Sequence, residues 1–382
     1  MIYLRLEKMT MNESKLKIGN VSNHAIYLDI KNTVSNSHIK IIGSSGYGKT
    51  CLQQILIHDL STLGASIIVW DMSNCFSRNQ IKSSFLKNIY NWNICERGLP
   101  FNFFSSIDYD GKIRESNTEA ANRLSDILSK ALKIGDVQKI TLYEGILDVL
   151  NNEEVSNSSN PYFGNISWLN NSVPLKNFNL LEYYLYERNR ENKENVLLKL
   201  MRLSDSKILC SSSYNISDTI IFSLPNTSDD IKNIVTDVFL WMIWNRKTAK
   251  EDNIIPLYII IDEFQNLNFQ TSSPFFKILN EGRKYGINLI LSTQFTKGRY
   301  NKMQLSALGQ VGTNIYFHPS DDEISALAKD IDPSSPKKWI SSLQTLQRGE
   351  AIIKSSFCYF DHSHKPYKLP LKIKIRPVNT LQ

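Results

Sequence analysis

The sequence is poor in the features that mark whole classes of protein. Its five cysteines, Cys51, Cys75, Cys95, Cys210 and Cys358, are odd in number, scattered over 382 residues and nowhere in CxxC spacing. That argues against a disulfide framework and against a zinc site, and fits a reducing cytoplasm. The N terminus shows no apolar signal-peptide region, and the apolar stretch at residues 239–244 is far too short to span a bilayer. A soluble protein with no membrane anchor is expected. Charge of one sign is also scarce: a net +7 with 21% charged residues is compatible with a polyanionic partner and equally with an ordinary solvated surface. There is no internal repeat, and no interleaved aromatic platform of the kind that holds single-stranded nucleic acid. What remains is 42% apolar residues in a chain longer than single cores usually become. It implies one large domain with an insertion, or two domains.

What is present is concentrated between residues 257 and 294. Residues 258–261 read Tyr-Ile-Ile-Ile and run into Asp262-Glu263; a second apolar run, 287–291, ends at Ser292-Thr293-Gln294. A helical stretch between them carries Glu281-Gly282-Arg283-Lys284. Upstream, the run 39–42 leads into Gly43-Ser44-Ser45-Gly46-Tyr47-Gly48-Lys49-Thr50, which fits G-x-x-x-x-G-K-[ST], and Cys51, Leu52, Ile55, Leu56 and Leu60 follow at helical spacing. Such a loop turns successive N–H groups inward and adds the positive end of a helix dipole, which together cradle phosphates. Residues 43–50 with Cys51 are therefore read as nucleotide-binding, Lys49 as reaching the β- and γ-phosphates, and Thr50 as placing its hydroxyl on Mg²⁺. Asp262, at a strand end, suits a carboxylate that holds a water of that Mg²⁺. Glu263, one residue on and facing the other way, is placed to orient and polarise the attacking water. Phosphoryl transfer asks for positioning and charge stabilisation rather than covalent chemistry, so these residues cover most of it. ATP and Mg²⁺ are the expected cofactors.

The rest of the chain is read around this site. Short strands at 2–6, 16–18 and 25–30 make residues 1–36 a β lead-in, too short for an independent barrel. Strand, loop, helix and strand between 38 and 71 open a parallel α/β sheet. Periodicity predicts helices within 115–150 and another over 180–203, with an Asn-, Ser- and Pro-rich loop at 151–177 between them. Residues 80–212 are accordingly read as a mostly helical insertion, and 37–79 with 213–382 as the core. The sheet resumes at 219–222, followed by a helix over 231–244 with Ser228 or Asp229 as its cap. Ser273-Pro274 open a helix that runs to Tyr285 and stops at Gly286, a left-handed cap. Past Gln294 come a basic loop (Lys297, Arg299, Lys302), a strand at 314–317, a helix at 321–328 and a closing strand at 350–353.

Two residues take their meaning from position. Gln294 lies just past the carboxyl end of its strand, where ligands sit in open parallel sheets. An amide there can bond both the γ-phosphate and the attacking water, or simply satisfy strand-end backbone groups. Gly282 within a helix costs about 1 kcal/mol against alanine, which implies a close approach of another element. Arg283 beside it is either a residue that stabilises transition-state charge in a neighbouring subunit or a surface arginine complementing Glu281 and the helix C terminus.

Residues 43–50 and 259–263, the run Glu281-Gly282-Arg283-Lys284-Tyr285-Gly286, and Ser292-Thr293-Gln294 together resemble the HerA branch of the HerA/FtsK superfamily. So do Ile18-Gly19, Tyr27-Leu28-Asp29, His38-Ile39 and the 346–351 element, over most of 18–72 and 215–375. The resemblance implies a RecA-like P-loop NTPase fold and a homo-oligomeric ring, typically a hexamer, that hydrolyses ATP and moves double-stranded DNA. By the same resemblance Lys49, Thr50, Asp262 and Glu263 take the ATP and Mg²⁺ roles, Gln294 a sensor role and Arg283 that of a trans-acting finger. The chain departs from the family in its short lead-in, where HerA proteins usually carry an N-terminal β-barrel, and in its helical insertion. The function expected is a DNA translocase or helicase, with phosphate contacts from Lys297, Arg299 and Lys302. The alternative is an ATPase scaffold that assembles with and regulates a partner nuclease or effector in antiphage defence or DNA processing, without translocation. A packaging or conjugation-type ATPase shares the same chemistry.

Overall fold

A computed structural model describes residues 15–30, 37–82, 84–99, 103–104, 108–109, 113–152, 176–187, 192–204, 219–225, 227–248, 256–296, 298–361, 363 and 365–378. In chain order the strands are β1 (Lys15–Val21), β2 (His24–Asp29), β3 (Ile39–Ile42), β4 (Ser66–Asp71) and β5 (Asn91–Asn93). A separate small ribbon follows, β6 (Asp108–Tyr109) and β7 (Ile113–Arg114). Then come β8 (Thr219–Ser223), β9 (Leu257–Ile261), β10 (Ile287–Thr293), β11 (Thr313–Tyr316), β12 (Glu350–Ser355), β13 (Cys358–Phe360) and β14 (Leu371–Ile375). All but the ribbon form one twelve-stranded sheet in the order β13-β2-β1-β14-β12-β11-β3-β10-β9-β4-β8-β5. From β11 to β5 every pairing is parallel, and from β13 to β11 every pairing is antiparallel. The α/β fold with a mainly parallel sheet is thus as expected, and the phosphate-loop strand β3 lies inside the parallel part.

Strands β3, β4, β8, β9 and β10 are buried at every residue because helices cover both faces, which is why they read as near-continuous apolar runs, interrupted within by only Lys40 in β3 and Asn288 in β10. Within them the side chains alternate. Ile68, Trp70, Ile259, Ile261, Leu289 and Leu291 enter one hydrophobic cluster; Ile67, Val69, Tyr258, Ile260 and Ile290 enter the other. Helix α1 (Lys49–Thr62) covers the second face with Leu52, Ile55, Leu56 and Leu60. The first face is covered by α2 (Asn117–Ala131), α3 (Asp136–Asn151), α4 (Lys176–Glu187), α5 (Lys193–Ser204), α6 (Asp229–Thr248), α7 (Pro274–Glu281) and α8 (Lys302–Gly309). Helices α9 (Asp321–Ile331) and α10 (Pro336–Gln344) close a third cluster over Tyr316 and Ile352. Among the described residues no helix is long and apolar enough to cross a membrane.

Several expectations need adjusting. The stretch read as one helix over 180–203 is two, α4 ending at Glu187 and α5 starting at Lys193. The helix expected to reach Tyr285 is α-helical only to Glu281; Gly282–Tyr285 tighten into a 3-10 turn before Gly286 takes a left-handed φ of 68°. Gly282 is where the close approach was expected, since a Cβ there would lie 3.3 Å from the carbonyl oxygen of Ile287. The lead-in hairpin β1–β2 is continuous with the main sheet, held by β14 on one side and β13 on the other. Helices α8 and α10 and strands β5, β13 and β14 were not anticipated. The caps were: Ser273 accepts the amide of Phe276 at 3.2 Å, and Ser228 that of Ile231 at 3.5 Å. The strand expected at 2–6, most of the loop at 151–177, and Lys297 lie outside the described residues.

Candidate active site

The alternation of the strands decides which side chains meet. Asp262 continues the parity of Tyr258 and Ile260, and Ser292 that of Ile290, so both face the side covered by α1. Asp71, in step with Ile67 and Val69, faces the same side. The ends of β3, β10, β9 and β4 lie next to one another, with Thr293 opposite Ile42, Leu291 opposite Ile261, and Ile261 opposite Trp70. All the chemistry read from the sequence at strand ends therefore converges, apart from Arg283.

The phosphate loop is held from three sides. The amide of Gly43 donates to the carbonyl of Thr293 at 3.2 Å, that of Ser44 to the carbonyl of His318 at 2.8 Å, and that of Gly349 to the carbonyl of Tyr47 at 3.0 Å. Gly43 has φ 152°, and a Cβ there would lie 2.6 Å from Cβ of Phe317, so only glycine fits. The Tyr47 ring turns away to stack on His318, centroids 4.5 Å apart. Helix α1 then opens at Gly48 with no side-chain cap, leaving its first amides directed at the cleft as an anion site.

The Lys49 ammonium donates to the carbonyls of Gly43 (2.7 Å) and Ser44 (3.1 Å). Burial pulls its pKa down, while the nearby Glu263 and Asp262 carboxylates pull it up. Asp262 is almost fully buried, and each of its oxygens accepts a serine hydroxyl: Ser73 on Oδ2 at 2.8 Å and Ser292 on Oδ1. Ser73 is presented by a turn that Asp71 organises, accepting the amides of Phe76, Cys75 and Ser73 at 2.9, 3.0 and 3.3 Å. Burial, against those bonds, pushes the Asp71 carboxyl up to about 6, with Asp262 adding to the rise. Burial and the neighbouring Asp262 push the Cys75 thiol up to about 12, so it stays protonated.

Glu263 adopts the left-handed conformation (φ 54°, ψ 46°), which costs a non-glycine residue about 1–3 kcal/mol and is a recurrent mark of functional sites. Its Oε1 accepts the Gln294 amide at 2.7 Å, and its Oε2 accepts the Gln265 amide. Around these groups lies a cleft of about 610 Å³. Of the residues named from the sequence, Ser45, Gly46, Gly48, Lys49, Thr50, Cys51, Asp262, Glu263 and Gln294 line it; Gly43, Ser44 and Tyr47 shape the loop from outside its lining. Sequence reasoning missed Ser73, Gln265 and Arg348 in the same wall. Only Arg348 had a usable signal, its place within the 346–351 element.

Arg283 lies at the other end of the molecule's central strand. It is exposed in the 3-10 turn before β10, whereas Gln294 follows β10 at the cleft. The turn that carries it is rigidly held, with Tyr285 edge-on to Trp244 at 5.2 Å and Gly286 accepting the amide of Leu257 at 2.8 Å. Arg299 and Lys302 are exposed and outside the cleft lining.

The chain was compared with known proteins. The family model described as "Helicase HerA, central domain" matches residues 16–243. A curated relative, the DNA double-strand break repair helicase HerA of Sulfurisphaera tokodaii, is 23% identical over 361 residues, 90% of this chain and 67% of that protein. Among solved structures, VirB4 of Thermoanaerobacter pseudethanolicus superposes with a TM-score of 0.68 at 17% identity, covering 95% of this chain and 96% of VirB4. The conjugative coupling protein TrwB gives 0.55 at 11% identity, covering 98% of this chain and 92% of TrwB. The structures speak to the fold alone; the family match covers more than half the chain. The chain belongs to the family of the HerA helicase central domain, within the HerA/FtsK-like P-loop ATPases.

Proposed function

We propose that the protein is an ATP-hydrolysing motor that assembles as a ring, a hexamer by family resemblance, and translocates or unwinds double-stranded DNA. The observation that carries the proposal is the two-ended use of β10. Its carboxyl end delivers Gln294 to Glu263 in the nucleotide cleft, and its amino end carries Arg283 away from that cleft. An arginine so placed serves catalysis only in a neighbouring copy, which a head-to-tail ring supplies. In each cleft the backbone of residues 43–51 and Lys49 bind the phosphates, Glu263 takes up the proton of the attacking water, and Gln294 orients that water against the γ-phosphate.

The donor set fits a divalent cation held lightly. Among the described residues no three acidic, histidine or cysteine side chains gather as a metal cage. Asp262 has both oxygens engaged by serine hydroxyls, as suits a carboxylate acting through water. Thr50 and, through water, Asp262 would hold Mg²⁺, which when bound supplies charge neutralisation at the phosphates.

The curated relative is named as a DNA repair helicase, and the exposed Arg299 and Lys302 offer backbone contacts of the sequence-independent kind. The second reading, an ATPase scaffold for a partner nuclease or effector, draws on a different feature. Val137, Ile140, Tyr183, Tyr186, Leu198 and Met201 are large apolar side chains left exposed on α3, α4 and α5. Steady-state ATP hydrolysis with and without long duplex DNA separates the two, with particle mass recorded on the same samples. Strong stimulation by duplex in a ring-sized species, abolished by Glu263→Gln, is the expected result. Turnover indifferent to DNA would overturn the motor in favour of the scaffold.

A further inference from the structure

Glu263 is gripped by two amides, those of Gln294 and Gln265, and of these residues only Gln294 stands out in the sequence. The left-handed backbone at Glu263 turns the chain so that Phe264 enters the core, parallel to Tyr300 and tilted against Phe275, and Gln265 comes round to face the carboxylate it follows. The Gln265 Nε2 donates to Oε2 of Glu263, while its Oε1 accepts the hydroxyl of Thr293. The amide can sit only this way round, because a carboxylate is acceptor-only and must meet the NH₂ end. Thr293 is fully buried at the end of β10, and Gln294 is the next residue. Both amides on Glu263 therefore take their position from one strand end.

One donor on one oxygen leaves a carboxylate free to rotate about its last bond. Two donors, one on each oxygen, fix its plane and aim the remaining lone pairs. We propose that Gln265 is a positioning residue for ATP hydrolysis: anchored by Thr293, it sets the plane of the Glu263 carboxylate while Gln294 holds the other oxygen. The inference rests on the reading of Glu263 as the group that accepts the water's proton.

The test is steady-state ATP turnover by the full chain, with kcat and KM resolved separately, for the parent, Gln265→Leu, Thr293→Val, Thr293→Ser and Glu263→Gln. Loss of one charge-assisted bond predicts for Gln265→Leu a kcat lower by about tenfold or more, with KM for ATP within about twofold of the parent. Thr293→Val should lower kcat in the same way, and Thr293→Ser, which keeps the hydroxyl, should restore it. Parental kcat in both Gln265→Leu and Thr293→Val, with Glu263→Gln inactive, would overturn the proposal and leave the role of Glu263 standing. Turnover at the parental rate by Glu263→Gln would sink the role of Glu263 itself, and the proposal with it. Should Gln265→Leu fail to fold, the Thr293 pair decides: a slow valine and a near-parental serine support the assignment, and equal rates refute it.

Discussion

The position of Arg283 leads to a quantitative prediction about mixed rings. Strand β10 contains seven residues, and at about 3.3 Å per residue it separates the Arg283 turn from Gln294 by roughly 20 Å. No arginine side chain reaches that far, so if Arg283 takes part in hydrolysis, the site must combine the cleft of one copy with Arg283 of the next. Arg283→Ala and Glu263→Gln should each lower turnover by about a thousandfold or more, since a trans arginine is worth that much in phosphoryl transfer. They fail in different halves of the site, however. In an equal mixture an interface works when its cleft comes from the Arg283→Ala chain and its arginine from the Glu263→Gln chain. That arrangement occupies about one interface in four in a head-to-tail ring. Mixing should therefore restore up to about a quarter of the parental rate if interfaces fire independently. The assay is phosphate release after subunit exchange, with mass analysis confirming that mixed rings formed. Mixed rings no more active than the two variants apart would refute the trans assignment, as would full activity of Arg283→Ala alone.

Other expectations follow from particular contacts. Gly19→Ala would place a Cβ 2.3 Å from the carbonyl oxygen of Lys374, forcing β1 away from β14. A loss of about 1–3 kcal/mol is expected, read as a lower urea midpoint at unchanged m-value. Asp237 is buried, accepts the amide of Asn268 at 2.8 Å, and has its carboxyl pushed up to about 6 by burial. The folded state thus holds that proton more tightly than the unfolded one, so the contribution of Asp237 to stability grows as pH falls from about 6 to 4. Relative to Asp237→Asn, the parent should gain roughly 2–3 kcal/mol across that window, and a pH-independent difference would contradict the assignment. If Arg299 and Lys302 meet DNA phosphates, the double alanine variant should flatten the salt dependence of duplex binding by about two units of log–log slope. Identical slopes would exclude them as contacts.

The parts of the site written in consecutive residues were legible in the sequence itself. The phosphate loop, Asp262-Glu263 and Gln294 each sit at the end of an apolar run, and the chemistry of a strand end is a local matter. Even the close approach at Gly282 could be inferred from the cost of a glycine in that place. Ser73 and Gln265 were invisible for a different reason. Ser73 matters because β4 lies beside β9, and Gln265 because Glu263 adopts a left-handed turn that no pattern of residues announces. The division of 180–203 into α4 and α5 was missed because its charged residues are helix formers with no glycine or proline among them. Strand β14 alternates Leu-Lys-Ile-Lys-Ile with Ile373 and Ile375 inward, a pattern that sequence alone could have yielded. Its pairing with β1 could not, since the two strands are remote from each other along the chain.

That pairing has a bearing on how the protein is made. A ribosome delivers β1 and β2 early, and the strands around the nucleotide cleft can pair as they emerge. The free side of β1 and the outer side of β12 meet no partner until β14 arrives, because β14 lies between them. From the emergence of β1 to that of β14 the nascent chain therefore carries an uncovered strand edge, the kind of surface that seeks pairing with other chains. The antiparallel side of the sheet closes only after the nucleotide cleft can already have formed, and the helper proteins of the cell have that interval in which to act.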